Sequence, residues 1–311
     1  MQQIVPGLYA AVGTVGENGN EGIAVAAFDL DWTIIRSVRG RFHKSADDWA
    51  ILPNRISTLR GYKEMGYTIA IFTNQGYKGA KLATALNRVS NIAGKMNTEG
   101  ISPWILVSTE KDVYRKPSIG MWQVLEKSVG KIDRSRTFYC GDAAGRASDF
   151  SSDDISFASN VGISFYTPEQ IFPRNEITIP NTQTMFIFVG MPGSGKTTYY
   201  TQELQHRGWV HVNQDTLKTR NKVLGATRNA LQSGRSVAID ATNPDPGKRR
   251  DFVNMAIELR IPTLIVYFVR NGYEINKTRP SPVPDIAYNM YYKNLVEPDQ
   301  SIDLVPVVEI M

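Results

Sequence analysis

Short apolar runs recur along the chain, and segments with helical spacing separate them. Most of the runs are almost entirely apolar and rich in β-branched residues, which is typical of parallel strands covered on both faces. Between them, 118–130 has the apolar spacing of a helix. This alternation predicts doubly wound α/β domains built on parallel sheets. The predicted strands are IAVAAFDL, YTIAIFT, WILVST, RTFYCG, MFIFVG, WVHVN, SVAID and TLIVYFV.

One segment, 167–184, interrupts this alternation. It contains three prolines and several polar residues, and it has no helical period. Such clusters mark connections between elements, and a new strand with a glycine-rich loop follows at once. The length of 311 residues is enough for two domains. We therefore predict one domain at 1–177 and a second at 178–311.

The composition narrows the possible functions. A net charge of +5 permits a polyanionic partner without requiring one. The single cysteine, Cys140, excludes a disulfide framework and favours a reducing, intracellular compartment. Three histidines make a zinc site built on His and Cys unexpected. The N-terminus lacks the pattern of a signal peptide, and no apolar run approaches the roughly 18 residues of a membrane span, so no membrane partner is expected.

The stretch GMPGSGKT at 190–197 matches the phosphate-binding pattern G-x-x-x-x-G-K-[ST]. It follows a predicted strand and precedes a helix-like segment, which is the context this motif needs. The loop N–H groups and the helix N-terminus bind phosphate oxygens. Lys196 is expected at the β- and γ-phosphates, and Thr197 at Mg²⁺. The residues predicted to bind ATP are Gly190, Met191, Pro192, Gly193, Ser194, Gly195, Lys196, Thr197 and, from the loop described next, Arg279.

Three other residues of this half are candidates for chemistry. Asp215 follows the strand WVHVN, at the sheet edge where α/β proteins bind ligands, and is the predicted general base. The alternative is that Asp215 caps the helix that begins there. Asp240 ends the next strand as a Walker-B-like acid and is the second candidate for the base. Arg279 lies in a proline-rich loop, which is either a lid with a transition-state arginine or a solvated surface loop.

In the first half, Asp29 and Asp31 interrupt the apolar run AVAAFDLDWTII at 24–35. Buried carboxylates need partners, and residues i and i+2 of a strand point to the same side. One carboxylate can attack phosphorus and form an aspartyl-phosphate. The other can protonate the leaving alcohol and then activate water. Two such charges beside a phosphate need a compensating cation.

Later strand ends supply groups that complement this pair. The Thr73 hydroxyl is suited to hold a phosphoryl oxygen, and Lys116 to neutralise the nucleophile and the phosphate. Asp142 is suited to bind Mg²⁺, which prefers oxygen ligands. Further acids follow at Asp149, Asp153 and Asp154. The predicted metal ligands are Asp29, Asp31, Asp142 and Thr197.

The first half resembles haloacid-dehalogenase-type phosphatases of the D-x-D-x-T kind. From about Val25 to the C-terminus, the chain resembles the bifunctional polynucleotide kinase 3′-phosphatase family, with the phosphatase first and without a forkhead-associated domain. The motifs that carry this resemblance are FDLDWTII, SADDWAIL, IFTNQ, YRKPSIGMW, GDAAGR, FYTPEQIF, VGMPGSGKTT, VHVNQDTL and VAIDATNPD.

The resemblance implies an enzyme that removes 3′-phosphates and phosphorylates 5′-hydroxyls at DNA ends, which prepares strand breaks for ligation. It implies Mg²⁺ as cofactor, ATP as phosphoryl donor, a nuclear location and a monomer, and it leaves RNA as a substrate open. Asp29 is then the phosphatase nucleophile, Asp31 its general acid/base, and Asp215 the kinase base. The implied catalytic residues are Asp29, Asp31, Thr73, Lys116 and Asp215.

Basic residues near both sites are candidates for contact with nucleic acid. The stretch 37–44 follows the first motif, where the backbone of a substrate strand would enter, and it carries Arg39, Arg41, His43 and Lys44. The alternative is an exposed hairpin of ordinary surface charge. Arg249 matches a basic position of the family that is expected to meet the substrate strand.

The chain also departs from the family pattern. Trp32 stands where the family usually has glycine, and its bulk either narrows the site or stacks on a terminal base. Gln214 replaces an arginine that commonly precedes the kinase acid. Two other functions therefore stay open. One is a small-molecule kinase fused to a metabolite phosphatase; the other is a DNA-end-binding protein whose phosphatase half is inactivated by Trp32.

Overall fold

The computed structural model describes residues 1–19 and 22–311. The chain forms two compact units, 1–173 and 174–311, and each contains helices and a β-sheet whose central strands are parallel. The boundary predicted at 177/178 lies a few residues beyond this division. The predicted α/β class with parallel sheets is confirmed. No helix within the described ranges is both long and apolar enough to cross a bilayer.

The first unit contains a seven-stranded sheet in the order β1-β2-β9-β8-β5-β10-β11 and two small two-stranded pairs, β3-β4 and β6-β7. Five neighbouring strands of this sheet are parallel: β9, β8, β5, β10 and β11. The hairpin β1-β2 extends the sheet, with β2 antiparallel to β9. The strands are β1 (Gln2–Val5), β2 (Leu8–Ala11), β3 (Asn18–Gly19), β4 (Gly22–Ile23), β5 (Val25–Phe28), β6 (Ile35–Arg36), β7 (Ala50–Ile51), β8 (Thr68–Asn74), β9 (Trp104–Ser108), β10 (Phe138–Cys140) and β11 (Ser164–Tyr166).

Helices cover both faces of this sheet. The helices are α1 (Arg55–Glu64), α2 (Gly79–Thr98), α3 (Gly120–Val129), α4 (Asp153–Val161) and α5 (Pro168–Ile171). Successive residues of the central strand β5 face opposite sides, so Ala27 packs in one apolar cluster and Phe28 in the other. All four β5 residues are buried. The carboxyl end of β5 therefore delivers the next residue, Asp29, to the edge where a ligand can bind.

The second unit contains a five-stranded, fully parallel sheet in the order β13-β14-β12-β15-β16. Its strands are β12 (Met185–Gly190), β13 (Val210–Asn213), β14 (Val237–Asp240), β15 (Thr263–Phe268) and β16 (Val307–Ile310). Its helices are α6 (Lys196–Tyr199), α7 (Gln214–Leu217), α8 (Arg220–Gln232), α9 (Pro246–Leu259), α10 (Gly272–Lys277), α11 (Asp285–Asn294) and α12 (Gln300–Asp303). A π-helical turn, Tyr200–Leu204, and a 3₁₀ turn, Gln205–Arg207, continue α6.

Two candidate active sites

In the first unit, a buried lysine links the predicted nucleophile to a second carboxylate. Asp29 is placed just beyond β5 by a hydrogen bond from its N–H to the Cys140 carbonyl, 2.8 Å away. The Lys116 ammonium donates to Asp29 Oδ1 at 2.6 Å and to Asp154 Oδ1 at 2.7 Å. Its third donor bond goes to the Tyr139 hydroxyl at 2.8 Å. All three ammonium donors are thus directed at this site, which fixes the position of the positive charge.

A carboxylate cluster lies around this lysine. Oxygens of Asp29, Asp142 and Asp154 all lie within 4.8 Å of one another. Gly141 leaves room for the third member, since a Cβ there would lie 2.3 Å from Asp154 Oδ2. Burial raises the pKa of Asp29 to about 7 against the attraction of Lys116, and the neighbouring Asp154 adds to the rise. Burial and the charges of Asp29 and Asp154 raise the pKa of Asp142 as well. One lysine does not balance three carboxylates, so the cluster can hold a metal cation.

The carboxylate of Asp31 is not part of this cluster, and its role as a metal ligand stays a prediction. Its Oδ1 lies 2.7 Å from His43 Nε2, and its Oδ2 accepts from Gln75 Nε2 at 2.7 Å. Both carboxylate oxygens are therefore engaged on another side of the site. The third acid of the cluster is Asp154, from the first turn of α4. Asp149 instead pairs with Arg146 at 2.9 Å.

The hydrogen bonds of His43 place one proton between it and Asp31. His43 Nδ1 contacts the Asp48 carbonyl oxygen, which can only accept, so Nδ1 carries hydrogen. The close approach of Nε2 to Asp31 then requires one proton in that contact, on either partner. Burial alone would raise the pKa of Asp31, but the hydrogen bond and charge of His43 lower it to about 2. The pair therefore holds a proton beside the nucleophile.

Gln75 connects Asp31 to the interior of the unit. Its amide donates to Thr73 Oγ1 at 2.9 Å as well as to Asp31, and its carbonyl accepts from Arg88 Nη2 at 2.8 Å. Thr73, Gln75 and Arg88 are all buried. Gln75 thus links the predicted phosphate-binding Thr73 to Asp31. Gln75 and Arg88 were not predicted as site residues from the sequence, although Gln75 lies within the motif IFTNQ.

The loop 37–49, between β6 and β7, is organised around the fully buried Asp48. Its carboxylate accepts hydrogen bonds from the N–H groups of Arg39 and Lys44, at 2.8 and 2.7 Å, and from two other groups of the loop. This arrangement brings His43 to Asp31. The side chains of Arg39 and Lys44 are exposed, Arg41 is half-buried, and Arg39 also forms an exposed ion pair with Asp47. The structure therefore places these basic residues on the same loop as a site residue.

In the second unit, the loop after β12 has the shape that phosphate binding requires. Gly193 has φ of 80°, and a Cβ there would lie 2.4 Å from the Gly272 carbonyl, so no side chain fits. The Lys196 ammonium donates to the carbonyls of Gly190 and Met191 at 2.8 and 2.7 Å. Burial lowers the pKa of Lys196 to about 8, against the attraction of Asp240. A bound polyphosphate would favour the charged form of this lysine.

The predicted Mg²⁺ ligand Thr197 touches the Walker-B-like acid. Its hydroxyl donates to Asp240 Oδ2 at 2.6 Å, and the same oxygen lies 2.9 Å from His211 Nε2 and 3.1 Å from Asn213 Nδ2. Burial would raise the pKa of Asp240, but these hydrogen bonds from His211 and Thr197 lower it. Asp240 is therefore a carboxylate at neutral pH, in the place where P-loop enzymes hold Mg²⁺ with a Thr and an Asp.

The helix-cap alternative for Asp215 is wrong. Asn213 is the N-cap of α7, and its side chain accepts from the Thr216 N–H at 3.0 Å. Asp215 lies in the first turn with an exposed side chain, which forms no hydrogen bond or ion pair to any residue that the structure describes. Its charge is close enough to act on the pKa of Lys196. Asp240 is the second candidate for the base. Its Oδ2 already accepts three hydrogen bonds, which makes it less available to take a proton from a substrate.

Arg279 lies in the segment between α10 and α11, and these helices pack on the P-loop. The Tyr288 hydroxyl of α11 donates to carbonyls of Pro192 and Gly272, at 3.0 and 3.2 Å. Arg279 itself is exposed, and its charge lowers the pKa of Lys196. The structure thus brings Arg279 to the neighbourhood of the predicted ATP site.

Arg249 is placed differently from its prediction as a nucleic-acid contact. It is fully buried in α9 and forms a two-pronged ion pair with Asp303, at 2.7 and 2.9 Å. Its remaining nitrogen donates to the carbonyls of Asn243 and Pro244. The guanidinium is fully used inside the unit, where it joins α9 to α12, and cannot face a substrate strand.

Known proteins match both units. Residues 24–172 match a family model described as polynucleotide kinase 3 phosphatase, and 185–272 match one described as an AAA domain. The bifunctional polynucleotide phosphatase/kinase of Schizosaccharomyces pombe is 32% identical over 301 residues, which are 85% of this chain and 74% of that protein. The chain belongs to the family of bifunctional polynucleotide phosphatase/kinases. The predicted family is thereby confirmed.

One further relative and one solved structure are similar to this family member. A relative from Acanthamoeba polyphaga mimivirus, provisionally given the same bifunctional name, is 30% identical over 365 residues, covering 93% of this chain and 85% of its own. Among solved structures, D,D-heptose 1.7-bisphosphate phosphatase from B. bronchiseptica, complexed with magnesium and phosphate, is 19% identical. That match covers 47% of this chain and 80% of the other, with a TM-score of 0.39.

The acidic cluster should make the stability of the first unit depend on pH and on metal. The folded pKa of Asp29, about 7, lies above its ordinary value near 3.8. Its contribution to stability is therefore present below the unfolded pKa and is lost as pH rises through the folded pKa. In EDTA, we expect the melting temperature to fall between pH 5 and pH 8 by roughly 3–5 °C, and millimolar Mg²⁺ to restore it at pH 8.

The matched variant for this measurement is Asp142→Asn. It removes one of the crowded carboxylates. The melting temperature should therefore fall less with pH in EDTA, and Mg²⁺ should restore less of it at pH 8. A melting temperature that Mg²⁺ raises equally at pH 5 and pH 8 would show that the cluster does not bind the cation through its ionised carboxylates.

Proposed function

We propose that this chain heals broken nucleic-acid ends by removing a 3′-phosphate in its first unit and phosphorylating a 5′-hydroxyl in its second. The observation that carries the proposal is the presence of two separate phosphoryl-transfer sites on one chain. One is the pair Asp29 and Lys116; the other is the P-loop with Lys196. The relatives named as bifunctional polynucleotide phosphatase/kinases support the same pairing of activities.

In the phosphatase, Asp29 attacks phosphorus as the bond to the 3′-oxygen breaks. The proton held between His43 and Asp31 passes through Asp31 to the leaving oxygen. Asp31 then takes a proton from the water that hydrolyses the aspartyl-phosphate, which releases phosphate and restores both carboxylates. Lys116 and Thr73 bind the phosphoryl oxygens. Asp29, Asp142 and Asp154 would hold Mg²⁺, which would supply the positive charge that a carboxylate nucleophile needs beside a dianion.

In the kinase, Asp215 accepts the proton of the 5′-hydroxyl as that oxygen attacks the γ-phosphate of ATP. The proton goes to the Asp215 carboxylate, the new P–O bond forms, and ADP leaves. Lys196 and the loop N–H groups bind the phosphates. Thr197 and Asp240 would hold the Mg²⁺ that accompanies ATP. Arg279 stabilises charge on the transferred phosphoryl group.

The test uses one DNA oligonucleotide with a 5′-hydroxyl and a 3′-phosphate, incubated with Mg²⁺ and ATP. Both ends should be converted, and omission of ATP should stop only the 5′ reaction. A matched RNA oligonucleotide decides whether RNA is also a substrate, and hexose phosphates and free sugars test the metabolite alternative. Conversion of the small molecules with untouched oligonucleotide ends would overturn the proposal. The monomeric state and the nuclear location stay predictions.

The role of His43 as proton holder makes a separate prediction. His43→Ala should slow phosphate release from a 3′-phosphate oligonucleotide by roughly ten- to a hundredfold, because the sugar alcohol leaves only with a proton. With p-nitrophenyl phosphate, whose leaving group needs no proton, the loss should be small. His43→Gln keeps a donor to Asp31 but no transferable proton, so it should behave like the alanine variant. Equal losses on both substrates would show that His43 only shapes the loop.

A further inference from the structure

Trp32 has a backbone conformation that tryptophan rarely adopts. Its φ is 62°, in the left-handed region. A residue with a Cβ is strained in this region, whereas glycine is not. The surrounding turn enforces this conformation: the Trp32 N–H donates to the Ile35 carbonyl at 2.7 Å, and the Ile34 N–H donates to Leu30 at 2.9 Å. Strained residues of this kind are concentrated at functional sites. A glycine would relieve the strain, so the indole itself needs an explanation.

The position of Trp32 suggests what the indole contacts. Trp32 directly follows Asp31, and neighbouring Cα atoms are about 3.8 Å apart. Asp31 gives its proton to the leaving oxygen, so Trp32 lies on the leaving-group side of the site. The leaving group is the terminal nucleoside, whose base is attached to the same sugar as that oxygen. A residue beside Asp31 is therefore within reach of the terminal base.

The Trp32 side chain is available for such a contact. It is half-buried, whereas the residues that follow, Thr33, Ile34 and Ile35, are fully buried. Within residues 1–19 and 22–311, the indole forms no hydrogen bond and no ring contact. The exposed part of the indole, held beside the chemistry by a strained turn, is therefore open to a ligand.

We propose that Trp32 determines substrate preference by stacking on the terminal base of the strand that carries the 3′-phosphate. The inference rests on the proposed phosphatase function. Stacking on an aromatic side chain tolerates any base, because every base presents a π-face. The exposed Arg39 and Lys44 on the loop 37–49 supply positive charge for the adjoining backbone. The competing idea is that Trp32 only blocks the site. It predicts that removal of the indole speeds phosphate release from every 3′ end.

The experiment compares two oligonucleotides that differ only in the terminal base. Both carry a 3′-phosphate; one ends in thymidine and the other in an abasic tetrahydrofuran residue. The leaving alcohol and the charge are matched, so stacking alone distinguishes them. The wild-type protein should have a kcat/KM about tenfold higher for the base-bearing end, mainly through KM. Trp32→Gly should abolish this preference, and Trp32→Phe should keep most of it.

A control separates strain from recognition. Leu304 is another non-glycine residue with positive φ, 63°, and it is exposed in the second unit. Leu304→Gly relieves the same kind of backbone strain as Trp32→Gly, and it should leave the base preference as it is in the wild type. A preference that survives in Trp32→Gly would overturn the inference. Faster release from both ends in Trp32→Gly would also overturn it, in favour of a steric block. No release from either end by the wild-type protein would overturn the proposed function and this inference together.

Discussion

Asp29→Asn should abolish 3′-phosphate release and leave 5′-phosphorylation at the wild-type rate. The amide cannot attack phosphorus, so we expect turnover to fall by at least about 10⁴-fold, the scale seen when an enzyme loses its nucleophile. The kinase residues Lys196, Thr197 and Asp215 belong to the other compact unit. Steady-state release of phosphate and transfer of labelled phosphate from ATP, measured on the same preparation, give the two rates.

The same variant should be more stable than the wild type when no metal is present. Asp29 is one of three crowded carboxylates, and its raised pKa shows that its ionised form is unfavourable in the folded protein. Replacing it with the neutral isostere removes that repulsion, and the Lys116 ammonium still has Asp154 as a partner. A higher melting temperature in EDTA at pH 8 would therefore exclude misfolding as the cause of inactivity. Near-normal phosphatase turnover would contradict the aspartyl-phosphate mechanism.

Asp215→Asn should keep ATP binding and slow the transfer step by roughly 10²–10⁴-fold, the usual scale for losing a positioned general base. The exposed carboxylate in the first turn of α7 is close enough to influence Lys196. Since Asn213 is the helix cap, the substitution does not remove the capping hydrogen bond. Single-turnover phosphorylation of a 5′-hydroxyl oligonucleotide at saturating ATP measures the step directly.

The matched control for this variant is Asp251→Asn. Asp251 lies on α9 of the same unit and forms an exposed ion pair with Arg220 at 3.0 Å. Its replacement changes the net charge by the same amount, so a rate within about twofold of the wild type is expected. A drop below about fivefold for Asp215→Asn would show that Asp215 is not the base and would make Asp240 the next residue to test.

The central strands of both sheets could be predicted because each is a short run of almost entirely apolar residues. All eight predicted runs contain strands of the structure. In the two main sheets, the strands that were not predicted lie at or next to the edges, where only part of each strand is covered: β1, β2, β11 and β16. The other strands that were not predicted form short two-stranded pairs. In β11, for example, Ser164 and Tyr166 are exposed, and the hairpin strand β1 is mostly exposed. Partial burial leaves a mixed polar pattern that does not stand out from a loop.

Many of the site residues that could be predicted follow strand ends directly, although Lys116 lies eight residues beyond β9. Asp29, Asp142 and Asp215 each come within two residues of a strand, and the parallel topology then brings such residues to one edge of each sheet. Nothing local marks the residues that orient them. His43 reaches Asp31 only because the buried Asp48 folds the loop 37–49. That arrangement depends on tertiary structure.

The buried Arg249 shows a different limit of the sequence. In the basic run KRR, periodicity does not reveal which arginine faces inward, and charged residues are mostly exposed. Its partner, Asp303, lies 54 residues further along the chain. A complete set of hydrogen bonds offsets the cost of burying the charge. The positive charge of Arg249, which suggested a contact with nucleic acid, thus serves to join α9 to α12 through Asp303.

The most direct test of two independent sites is complementation on one DNA oligonucleotide with a 5′-hydroxyl and a 3′-phosphate. With Mg²⁺ and ATP, Asp29→Asn alone should convert only the 5′ end, and Asp215→Asn alone only the 3′ end. A mixture of the two variants should convert both ends of every molecule at rates set by the intact unit of each. If the mixture left either end unconverted, or if one substitution silenced both ends, the account of two independent phosphoryl-transfer sites would be contradicted.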